Sequence, residues 1–125
     1  MNEQFLIDST IPYLESFLKE EQSFDPFAMI MDKEGVVNII SSNIEDEYPT
    51  SEYLINLYEQ GIKEEYRKIR TKYVLAVICI DAFVNSGTNK QNAVEFRLIN
   101  PLAEKRLYLK YTIRNNYIYW DKLNS

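Results

Sequence analysis

Histidine is absent from the 125 residues. Its absence removes His-based catalytic triads, the commonest general base and the commonest zinc ligand. Cysteine occurs once, as Cys79. A disulfide within the chain and a Cys-based zinc site are therefore excluded. Cys79 lies inside an apolar run, where a free thiol behaves as a small hydrophobe. Glycine is scarce, at three residues. The stretch Ser86-Gly87-Thr88-Asn89-Lys90 lacks phosphate-loop spacing and precedes no helix. No apolar run approaches the ~18–20 residues of a membrane span. The N-terminus MNEQFLIDSTIP has no basic region ahead of an apolar core, so no secretory signal is expected and a cytoplasmic location is. A basic excess is missing too. The net charge of −5 and pI near 4.8 argue against a general nucleic-acid binder and against anionic membrane surfaces.

What is present is ordinary for a folded protein: 46% apolar and 26% charged residues. The length predicts one domain over residues 1–125 with a single core. The aromatics are mostly tyrosine, ten of them, and tyrosine suits half-buried sheet faces and interfaces alike.

The most continuously apolar run is Tyr73–Val84, YVLAVICIDAFV. Both of its alternating sets are apolar, so it reads as a central strand. Around it the periodicity predicts the other elements. Asn2–Gln22 reads as a helix with Ile7, Ile11, Leu14 and Leu18 in one stripe. Pro12 either kinks a long helix or sits in the first turn of one capped by Ser9 or Thr10, whose strong part runs from Thr10 to Gln22. Phe27–Met31 and Val36–Ser41 read as a hairpin around the turn Asp32-Lys33-Glu34-Gly35. Asn43–Thr50 reads as an acidic loop. A helix then runs to about Arg70, capped by Thr50 or Ser51. Gly61 interrupts its apolar stripe, and close packing would account for it. After a loop at residues 85–90, Asn92–Ile99 and Arg106–Ile113 alternate as half-buried strands. Tyr117–Trp120 reads as a final edge strand, followed by a polar tail.

A helix followed by F-x-P-F-A (Phe24, Pro26, Phe27, Ala28), an apolar strand, D-x-x-G (Asp32, Gly35) and a second helix resembles small bacterial α+β domains. The α-β-β-α-β-β-β layout over residues 2–113 also resembles roadblock and longin-like domains. That resemblance implies a dimerising scaffold module on a profilin-like sheet.

Three features invite a functional reading. Asp81 is a carboxylate in apolar company, open to a raised pKa or to pairing with Arg97 or Lys110. The polar positions of the later strands, Glu95, Arg97, Tyr108, Lys110, Tyr117 and Tyr119 with Trp120, read together with Asp81 as a candidate interaction surface, since hot spots use aromatics with Arg. Glu45-Asp46-Glu47 could bind a divalent cation, but consecutive carboxylates point apart and no EF-hand spacing exists.

The sequence therefore predicts a two-layer α+β sandwich: an antiparallel sheet of five or six strands with two helices on one face. In it the even-numbered set of Tyr73–Val84 floors both helices, and the odd-numbered set joins the polar face. No cofactor and no catalytic residue is expected. The expected function is a protein–protein interaction module of immunity or regulatory type, binding a protein partner or a second copy. The alternatives are a small-molecule-binding protein or weak enzyme with a pocket near Asp81, and a structural subunit of a larger assembly.

Overall fold

The computed structural model describes residues 2–41 and 49–124. The acidic stretch Glu45–Glu47 lies outside the described residues. The chain runs α1 (Asn2–Glu21), β1 (Phe27–Asp32), β2 (Val37–Ile39), α2 (Ser51–Arg67), β3 (Tyr73–Ser86), β4 (Asn89–Ile99), β5 (Glu104–Arg114), β6 (Tyr117–Asn124). The six strands form one antiparallel sheet in the order β2-β1-β3-β4-β5-β6. The α+β class, the antiparallel sheet and the element order are those the sequence predicts.

The placement of the helices differs from expectation. They lie on opposite faces of the sheet. Leu75, Val77 and Cys79 of β3 pack with Leu6, Ile7, Leu14 and Leu18 of α1. Ala76, Ile78 and Ile80 pack with Leu54, Tyr58 and Ile62 of α2. The reason lies in β3 itself. A strand with two apolar faces needs cover on both, and one helix covers one face. The sheet is a middle layer rather than the floor of a two-layer sandwich.

The α1 face holds the larger cluster, extending over Val94, Phe96 and Leu98 of β4 and Leu109 and Tyr111 of β5. α1 touches β1, β3 and, farther along the sheet, β6, so the sheet curls around it. A bulge in β6 assists the curl: Leu109 pairs with Leu123 but Tyr111 pairs with Trp120. The extra residue brings Trp120 and Leu123 to the same face and bends the strand. A second bulge at the start of β3, where Met31 pairs with Leu75 and Asp32 with Tyr73, moves Tyr73 to the α2 cluster and Val74 to the α1 cluster.

Several boundaries also shift. α1 continues through Pro12 as one helix. There the Thr10 hydroxyl donates to the Ile7 carbonyl (2.6 Å) and Ser9 to Phe5 (2.9 Å). The polar residues 85–90 are mostly strand: β3 and β4 pair out to Ser86 and Asn89 around a two-residue turn, with Gly87 at φ +64°. β6 absorbs most of the tail. The tight turn before it places Asn115 and Asn116 at φ 51° and 69°, a left-handed pair that asparagine tolerates. Of the two expected caps of α2 it is Thr50, its hydroxyl accepting from the Tyr53 amide at 3.1 Å. Asp32 organises the first hairpin turn by accepting from the amides of Glu34 (2.9 Å) and Val36 (3.0 Å), with Gly35 at φ +87°.

Candidate interaction surface

The register decides which polar side chains meet. Ile80 pairs with Glu95 and Ile78 with Arg97. Directly opposed residues share a face, so Glu95 and Arg97 stand beside the even-numbered set of β3, on the α2 side. Alternation along β5 and β6 brings Tyr108, Lys110, Thr112, Tyr117 and Tyr119 to the same side. α2 covers the β1, β3 and near-β4 part of this face and leaves the β5–β6 part open. Tyr117 and Tyr119 are 65% and 57% exposed; Tyr108, Lys110 and Thr112 are half-buried.

Six of the eight residues read from the sequence as one surface are thus brought together. Asp81 and Trp120 are not among them. Both lie on the α1 face, so the expected phase of β3 is corrected: its even set, not its odd set, shares the polar face. Asp81 pairs across the ladder with Val94 and meets neither Arg97 nor Lys110. Its Oδ1 accepts from the Tyr111 hydroxyl at 2.8 Å, and its Oδ2 accepts from the Phe24 amide at 3.3 Å. This carboxylate ties the end of the α1–β1 connection to β5. Burial, then the hydrogen bond and charge of Asp81, push the Tyr111 phenol above its ordinary value. Trp120 stacks edge-on against Tyr111 at 5.8 Å and donates its indole N–H to Glu15 of α1 at 3.0 Å.

At the border between covered and open face sits a charged network. Arg97 donates through Nε to Glu95 (3.0 Å) and pairs with Glu59 of α2 (2.5 Å). Its other terminal nitrogen lies 2.8 Å from Glu95, and the Tyr108 hydroxyl reaches Glu95 at 3.4 Å. Glu95 is buried, only 8% exposed. Burial works to lower the pKa of the guanidinium, but the two carboxylates outweigh it and hold Arg97 above its ordinary value. Glu95 does not pair with Lys110 across the ladder, because Glu95 faces Tyr108 and Lys110 faces Ala93. Sequence reasoning missed Glu59. It stands one residue after Tyr58 on α2, and only the helix placement brings it over the sheet.

Open clefts lie both on this surface, where Lys110, Thr112 and Tyr119 help to line one of about 210 Å³, and away from it. One of about 420 Å³ runs between the end of α2 and the β4–β5 turn, lined by Lys63, Tyr66, Arg67 and residues 99–104. Tyr66 donates to the Ile99 carbonyl at 2.7 Å, and burial raises its pKa. Gly61 borders another cleft, of about 270 Å³, and no atom comes within 4 Å of where its Cβ would be. Close packing therefore does not explain Gly61. Among the described residues, no three Asp, Glu or Cys side chains gather to hold a metal ion, and no helix is long and apolar enough to cross a membrane. No protein-family model, no curated protein and no solved structure matches the chain.

Proposed function

We propose that the chain is a non-catalytic protein–protein interaction module of immunity or regulatory type, acting in the cytoplasm. The observation that carries this reading is the uncovered β5–β6 part of the α2 face. Tyr108, Lys110, Thr112, Tyr117 and Tyr119 are aligned there on rigid strands, with Arg97 and Glu95 fixed at the border. Tyrosines held on a sheet lose little side-chain freedom on binding, and a neighbouring cation gives orientation. The engagement of both Asp81 oxygens by groups of the chain itself favours a structural role for that carboxylate. The likeness of element order to roadblock and longin-like scaffold domains is in keeping with a binding role.

A photo-crosslinking side chain at Tyr119 tests the reading. We expect one dominant protein adduct in cells, lost when Lys110 is changed to Glu. The same probe at the fully exposed Ile69 should give none. Equal, diffuse labelling from both positions refutes the proposal.

A further inference from the structure

The charge of the chain is divided between its halves. Residues 1–62 carry thirteen acidic and two basic side chains, and residues 63–125 carry six and twelve. The net charges of −11 and +6 conceal each other in the total of −5. In the fold the two halves adjoin on the α1 face, at the end where α1 stops. On one side is a cleft of about 290 Å³ floored by Phe17, Phe24 and Phe27 and rimmed by Glu20, Glu21 and Asp25. The rings pack edge-on, with Phe27 at 5.4 Å from Phe17 and 6.0 Å from Phe24. Among the described residues none of the three carboxylates has a cationic partner.

On the other side is the β3–β4 hairpin. Phe83 stands 67% exposed on it, with the Lys90 ammonium 5.8 Å from its ring centroid. Lys90 likewise has no carboxylate partner among the described residues. The two sides meet at Gln22. That residue shares a cleft with Lys90 and follows Glu21 directly, and the Phe24 amide beyond it is held to β3 by Asp81.

We infer that this end of the α1 face is a twofold self-association site, in which Phe83 and Lys90 of one copy enter the acid-rimmed aromatic cleft of the other. Carboxylates over an aromatic floor attract an ammonium group both by charge and through the ring faces. A second copy is the occupant because a twofold axis applies each contact twice. With the acidic cleft and the basic knob side by side across Gln22, rotation sets each against its complement in the partner. The site lies on the face opposite to the Tyr119 surface and does not depend on it.

Sedimentation velocity of the full chain over a concentration series tests the inference. We expect a reversible dimer that weakens as salt rises. Lys90→Glu and Glu21→Lys should each weaken it by about tenfold or more. An equimolar mixture of these two variants should restore wild-type affinity, since each mixed contact again pairs opposite charges. Phe83→Ala should weaken the dimer without that rescue. All three positions are exposed, and Glu21→Lys puts a cation where the helix dipole favours one, so circular dichroism should remain that of the wild type. A monomer at every concentration, a dimer indifferent to these changes, or a mixture no tighter than its parts each overturns the inference. None of these results alters the Tyr119 crosslinking outcome, so the two proposals fail separately.

Discussion

Among the described residues, Arg97 is the cation with two carboxylate partners. Its side chain is 13% exposed and joins Glu59 of α2 to Glu95 of β4. Removing one partner of a buried pair leaves the other charge without compensation, which costs more than the pair contributes. Arg97→Ala should therefore lower stability by about 2–3 kcal/mol, discounted for its partial exposure. Arg106→Ala is the comparison, because that side chain is 49% exposed and lies 4.0 Å from Glu104. A change within about 0.5 kcal/mol is expected there. Urea unfolding of the two variants decides, and equal effects would contradict the assignment. Alternation showed from sequence that Arg97 points to the polar side of its strand. It could not show that a helix would lie over that side and turn a solvated Arg into a half-buried one.

At the scale of the elements, α2 is the simplest to test. Its buried stripe is short, Leu54, Tyr58 and Ile62, and Gly61 stands next to it with open space where a side chain would go. Gly61 has no positive φ. A glycine in such a position costs backbone entropy without a compensating contact. Gly61→Ala should stabilise the protein by about 0.5–1 kcal/mol, read as a higher urea midpoint. A loss of stability would mean that the adjoining cleft needs the space. The strands show where local pattern stops being informative. Val94, Phe96 and Leu98 were legible as one inward face, and they are buried as such. Residues 85–90 looked like a loop because Asn, Ser, Gly and Thr cluster there. Cross-strand pairing to Asn89 and Lys90 overrides that composition, since tertiary partners decide weak β preferences. The bulge in β6 had no visible signal, and without it the polar letters after Trp120 read as a tail.

The whole molecule responds to alkaline pH through groups that the core keeps neutral. Burial raises the thiol of Cys79, against a weaker opposing effect of the neighbouring Thr10 hydroxyl. Burial also raises the phenols of Tyr66 and Tyr111. For each, the unfolded chain ionises first. Above the ordinary thiol and phenol values of 9.0 and 10.0 the unfolded state binds fewer protons than the native state, so stability falls as pH rises. The stabilisation is fully present below those values. Urea midpoints should decline from about pH 9 upward, and less steeply in Tyr66→Phe. A midpoint that stays level to about pH 11 would mean these groups are not sequestered.

By itself the sequence determined the class of the protein: two amphipathic helices, a strand apolar on both sides, and alternating strands after it. It also determined that these residues offer no histidine chemistry, no disulfide within the chain and no Cys-based zinc site, because composition excludes without needing geometry. Helix and strand periods are local properties, set by which residues recur at steps of 3.6 or 2. The tertiary structure alone decided which face each helix takes, and through the Ile80–Glu95 register which polar residues gather. A face assignment depends on pairing between distant segments, and a shift of one residue reverses it. For that reason Asp81 left the polar surface, Glu59 joined it, and Phe83 was left exposed beside Lys90 at the end of the curled sheet.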